Sequence, residues 1–91
     1  MALLELIFLN GMKTKSLNTI LNRIGSGLGT LREKKGYDNI KDFAIDHDLP
    51  MIQYWRIERG KANITIKTLL KLLAIHQVTI EDFFCFLNQV Q

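Results

Sequence analysis

Apolar residues recur along this chain at the three- and four-residue spacing of helix faces, in successive short runs separated by turn-forming residues. From Ser16, which suits a helix N-cap, Leu17, Ile20, Leu21, Ile24, Leu28 and Leu31 fall on one face and predict a first helix closing near Lys35-Gly36. Gly25, Gly27 and Gly29 sit inside it, each costing about 1 kcal/mol relative to alanine, so a break or kink near Gly25 is open. Asp38 is placed to cap a second helix that carries Ile40, Phe43 and Ala44 and closes near Asp48. Leu49-Pro50 then resets the chain, because a residue before proline avoids helical angles while proline itself suits a first helical turn. A third helix follows from about Pro50 to Arg59, with Gly60 as its exit.

The segment Asn63-Ile64-Thr65-Ile66-Lys67 alternates like a strand, yet Thr65 is also a good cap for a helix bearing the stripe Ile66, Leu69, Leu70 and Leu73. The stripe favours a fourth helix. Thr79, with Asp82 three residues on, opens a fifth, in which Ile80, Phe83, Phe84 and Leu87 form the inward face. Phe86 and Val90 are then left over on another face of that helix. The pattern as a whole predicts an all-α domain of five short helices.

Composition narrows the class. Ninety-one residues, 47% apolar and 23% charged with one proline, suffice for one globular domain and exclude a multi-domain enzyme. We divide the chain into a short N-terminal extension, residues 1–15, and a helical domain, residues 16–91. The apolar run Met1 to Leu9 is interrupted by Glu5, falls far short of the roughly 20 residues that span a bilayer, and lacks the basic lead of a signal peptide. Neither a membrane nor an exported location is expected. Met12 offers a second start, so native translation of residues 1–11 is open. The single cysteine, Cys85, cannot form an intrachain disulfide and fits a reducing, cytoplasmic setting; set among Phe83, Phe84 and Phe86, it reads as a core residue.

Catalytic signals are missing. His47 and His76 stand apart from any metal-ligand spacing and read as surface or helix-end residues. Gly25-Ser26-Gly27-Leu28-Gly29 lacks the glycine spacing of a nucleotide loop and follows a helical pattern instead of a strand. No enzyme activity, cofactor or metal is expected.

Charge is unevenly placed. Between Pro50 and Lys71 stand Arg56, Arg59, Lys61, Lys67 and Lys71 against Glu58 alone. Between Gly36 and Asp48, Lys41 faces Asp38, Asp42, Asp46 and Asp48. The basic half suits a polyanion, since each neutralised phosphate releases counterions. On a wheel of about 100° per residue, Tyr54 and Ile57 define the buried side of the third helix while Ile52, Trp55, Arg56 and Arg59 point away. Guanidinium groups can bind phosphate or a guanine edge bidentately, and an outward indole can pack on sugar or a thymine methyl. Glu58, nearer the buried side, reads as a structural partner.

The run Arg23 to Phe84, about two thirds of the chain, resembles the phage repressor/Cro-type helix-turn-helix domain, also called the XRE family. Leu31-Arg32-Glu33-Lys34-Lys35-Gly36 is similar to the end of that family's first helix, and Phe43-Ala44 to its helix-two Leu-Ala pair. Ile57-Glu58-Arg59-Gly60-Lys61 is similar to the signature closing its recognition helix. Thr68-Leu69-Leu70-Lys71-Leu72-Leu73 and Val78-Thr79-Ile80-Glu81-Asp82-Phe83-Phe84 match its fourth helix and the start of its fifth. The resemblance implies a compact five-helix, lambda-repressor-like domain that regulates transcription by binding double-stranded DNA. It places the recognition helix at about residues 50–59, in the major groove. Its candidate DNA contacts are Met51, Ile52, Gln53, Trp55, Arg56 and Arg59, then Lys61 and Asn63 in the following loop, and Asn39 at the start of helix two. Met51 and Ile52 are apolar where the family is usually polar, which points to thymine methyls or sugars instead of base hydrogen bonds.

A homodimer is expected, since one short recognition helix reads few base pairs and two held about 34 Å apart reach successive major grooves. The surplus Phe86 and Val90 and the run Met1 to Leu9 are its candidate surfaces. The alternative is an antitoxin-like or adaptor module that holds a protein partner on Met51, Ile52 and Trp55.

Overall fold

The stripe Leu21, Ile24, Leu28 and Arg32 recurs every three or four residues and forms the buried face of a long first helix, α1 (Lys13–Lys34). The computed structural model describes residues 13–89. Within them α1 is followed by α2 (Ile40–Asp46), α3 (Met51–Glu58), α4 (Ile66–Ile75) and α5 (Ile80–Gln89), with no strand among the described residues. Helix α1 lies against α3 and α5, α2 against α3, and α4 against α5. The all-α expectation is met.

At the centre, Phe43 of α2 and Phe83 of α5 are fully buried, surrounded by Leu28, Leu69 and Leu73. The Phe43 ring is a hub. Tyr54 of α3 lies 5.1 Å away between centroids, His47 lies 4.7 Å away, and His76 stacks nearly parallel at 5.5 Å. One aromatic side chain thus ties α2 to α3 and to the ends of α2 and α4.

Four helices stop in the same way. The residue after the C-cap turns left-handed at Gly36, Asp48, Gly60 and Gln77. The amides that follow return to the last turn, as in Leu49 N–H to Ala44 O at 2.8 Å and Lys61 N–H to Arg56 O at 2.9 Å. Glycine marked two of these stops in the sequence. Asp48 and Gln77 occupy the same conformation without its licence, at a cost of order 1 kcal/mol or more each. At the starts, Asn39, Thr65 and Thr79 accept the amide hydrogens of Asp42 at 2.8 Å, Thr68 at 3.1 Å and Asp82 at 3.1 Å.

Several expectations are corrected. Helix α1 is already helical at Lys13, so Ser16 is not its cap, and it runs through Gly25 without a break. Those glycines are kept for packing. A Cβ on Gly25 would collide with the carbonyl oxygens of Ile57 and Glu58, and one on Gly27 with the Leu87 side chain. The cap of α2 is Asn39 in place of Asp38, and α2 ends at Asp46. Pro50 stands at the N-cap of α3, one residue before its first turn. The segment 63–67 is not a strand, because Thr65 caps α4. On α4, Leu72 is buried with Leu69 and Leu73, while Ile66 and Leu70 are exposed. On α5, Phe83 and Leu87 are buried, Phe84 is exposed and Phe86 packs on the core edge with the Lys34 ammonium 5.3 Å over its ring. Cys85 is exposed, not a core residue. Val90 and the segment Met1 to Leu9 lie outside the described residues.

Candidate nucleic-acid interface

Helix α3 is fixed from behind by α1. Gly25 lets the last turn of α3 approach the α1 backbone until only hydrogen fits between them. Beside this contact Arg32 of α1 reaches Glu58 of α3 in a bidentate pair, Nε to Oε2 at 2.8 Å and Nη2 to Oε1 at 3.3 Å. Both side chains are over nine-tenths buried. Arg32 Nη1 also donates to the Tyr37 carbonyl at 2.8 Å, tying in the α1–α2 loop. The hydrogen bond to Glu58 holds the guanidinium firmly protonated, against the opposing effect of burial. Tyr54 buries its ring behind α3, and burial first, then Glu58, pushes its hydroxyl well above the normal phenol range. Glu58, the acid within the basic half of the chain, is therefore turned inward.

The opposite side of α3 is open. Met51, Ile52, Gln53, Trp55, Arg56 and Arg59 are all exposed, with Ile52 the most so at 70%. Met51, Ile52, Gln53 and Arg56, with Pro50, line a shallow hollow at the start of the helix. At its far end the side chains engage one another. Arg59 Cζ lies 5.3 Å and Lys61 Nζ 5.6 Å from the Trp55 ring centroid, and Arg56 Nη2 donates to the Lys61 carbonyl at 2.9 Å. Gly60, at φ +70°, makes the turn that brings Lys61 back, and a Cβ there would strike Asn22. Among the described residues the ion pair found is Arg32 with Glu58, so Arg56, Arg59 and Lys61 face solvent without a carboxylate.

Two of the nominated residues stand apart from this face. Asn39 caps α2, and its amide also donates to the Asp42 carboxylate at 3.2 Å, so both ends of the side chain are engaged within the cap. Asn63 is exposed in the α3–α4 loop. Sequence reasoning placed the outward residues by helical period and marked Glu58 as structural. It missed that Arg32 is the partner. The signal was available: Arg32 follows Leu28 by four residues and so lies on the core stripe, where a lone cation needs an acid. Among the described residues no group of three or more His, Cys, Asp or Glu is gathered for a metal, and no helix is long and apolar enough to cross a membrane.

Comparison with known proteins gives one sequence relative of note. Over 68 residues the chain is 34% identical to control protein C.MunI of a Mycoplasma species, covering 75% of this chain and 92% of that protein. No family model matches the chain, and no solved structure does.

Proposed function

The chain belongs to the helix-turn-helix regulator family of control protein C.MunI, and from that premise we propose that it is a sequence-specific regulator of transcription that binds double-stranded DNA. The observation that carries this reading is the division of charge across α3: its acid is buried against Arg32, and Arg56, Arg59 and Lys61 are left outward and unneutralised. Laid in a major groove, such a face offers cations to phosphate and a guanidinium to base edges. In this arrangement Arg56, in mid-helix, reads bases and Lys61, in the loop, holds the backbone. Gln53 supplies a donor and acceptor at the start of α3. Met51 and Ile52 contribute apolar contact to sugars or thymine methyls. The protein acts by occupancy in the cytoplasm, blocking or recruiting at a promoter, with no chemical step.

A dimer belongs to the same proposal. The surface that favours it is the seam of α1 and α5, where Ile20 and Phe84 are exposed beside Ile24 and Leu87. A second copy bound there would present a second α3 to the duplex. The competing reading, an adaptor that holds another protein, is favoured by the exposed Met51 and Ile52. Titration of a random-sequence duplex at rising salt separates the two. DNA binding through phosphate weakens linearly in log salt by about 0.9 per contact, whereas an apolar protein contact barely responds.

A further inference from the structure

Trp55 is the single tryptophan of the chain, and its exposed side chain is the point where two cations, Arg59 and Lys61, meet. Arg59 reaches the ring by helical spacing, one turn on. Lys61 reaches it only because Gly60 reverses the chain, and its carbonyl is held in turn by Arg56. Two like charges near one ring repel each other, and the negative face of the indole offsets that repulsion. No carboxylate nearby explains the cluster, since Glu58 is committed to Arg32. The partners the ring already has are thus cations of the chain itself. We propose that Trp55 is a positioning residue, a platform that holds Arg59 and Lys61 ready for two backbone phosphates of duplex DNA without touching the DNA itself. This rests on the DNA-binding reading above and deepens it.

The mechanism is preorganisation. Long basic side chains lose rotamer freedom when they fix on phosphate, and a platform that has already restricted them removes part of that loss. Phenylalanine keeps an aromatic face and should keep the effect. Leucine keeps only apolar bulk and should lose it. Trp55 is exposed enough that neither change opens the core.

The test is the salt dependence of binding to a random-sequence duplex for the unmutated chain, Trp55→Phe, Trp55→Leu, the pair Arg59→Ala with Lys61→Ala, and that pair combined with Trp55→Leu. Each variant is first checked for cooperative thermal unfolding. The expected result is unchanged binding for Trp55→Phe, weaker binding at an unchanged slope for Trp55→Leu, and a slope shallower by about two units for the Arg59→Ala, Lys61→Ala pair. The triple variant should match the double. A Trp55→Leu variant that binds as tightly as the unmutated chain, or a triple variant weaker than the double because the indole itself touches DNA, would overturn the proposal. Emission from Trp55 in the free protein provides a reading independent of DNA. It should shift when Arg59 and Lys61 are both replaced, and an unshifted spectrum removes the platform. Absence of salt-dependent duplex binding by the unmutated chain would refute the DNA-binding function itself, with the emission experiment still deciding the cation–indole contact.

Discussion

Replacing Glu58 with alanine is the sharpest perturbation of the scaffold behind α3. The change leaves the Arg32 guanidinium in place, its side chain 9% exposed, with only the Tyr37 carbonyl to satisfy it. Removing one member of a buried pair typically costs about 3–5 kcal/mol, because the survivor stays desolvated without its counter-charge. A small domain has only about 5–15 kcal/mol in total. The midpoint should therefore fall steeply, at roughly 4–8 °C per kcal/mol for a chain of this size. Arg32→Ala should cost a similar amount by stranding Glu58. The double change Arg32→Met with Glu58→Leu should recover most of the loss, since well-packed apolar residues often replace a buried pair without penalty. Urea denaturation of the unmutated protein, Glu58→Ala, Arg32→Ala and the double Arg32→Ala with Glu58→Ala closes the double-mutant cycle and yields the coupling directly. A loss under about 1 kcal/mol for Glu58→Ala would match an exposed surface pair and refute the assignment of Arg32 and Glu58 as the brace of α3.

Gly25→Ala should destabilise the fold by about 1–3 kcal/mol despite its better helix propensity, because the new methyl meets the α3 backbone; a more stable protein in denaturant titration would contradict the packing role. Gln77→Gly should raise stability by about 1 kcal/mol by relieving a left-handed residue that lacks glycine's freedom, read as a higher urea midpoint. Burial first, then Lys35 and His47, lowers the His76 pKa, and its Nε2 is shut from water without a partner. The unfolded chain therefore binds the proton more readily: stability is full above about pH 6.5 and is lost as pH falls toward the folded value. His76→Gln should flatten that decline in melting temperature, and an equal decline in both proteins would discount His76. Phe84→Glu should shift sedimentation toward the monomer if the α1–α5 seam joins two copies, and a chain that already sediments as monomer with and without DNA would end the dimer.

Element type was legible in this sequence wherever helical spacing and a cap agreed. Thr65 and Thr79 announced the starts of α4 and α5, and Gly36 and Gly60 announced two stops. Ends set by the chain's own geometry were less visible. Asp48 and Gln77 turn left-handed directly after His47 and His76, whose rings pack on Phe43, and nothing in those residue types demands it. The glycines of α1 misled for a related reason: propensity penalises them locally, while the close approach of α3 and α5 requires them, a gain visible only in three dimensions. Inward and outward assignments on α5 failed at Phe84, Cys85 and Phe86, since period alone does not fix which arc of an apolar helix meets its neighbours. On α3 the period sufficed, because Tyr54 and Ile57 mark one arc for the core and Gln53, Arg56 and Arg59 mark the opposite one for solvent. The engagement of Trp55 with Lys61 could not be read, for it depends on the turn at Gly60 returning the loop to the helix.

The central claim is that the outward face of α3 recognises duplex DNA by sequence. It is tested most directly by selecting bound fragments from random duplexes, then comparing the unmutated chain with Arg56→Ala on the selected site and on random DNA. The account predicts enrichment of a defined site and a loss of about 1–3 kcal/mol for Arg56→Ala on that site, with a much smaller loss on random DNA. No enrichment, or equal losses on both DNAs, would contradict it.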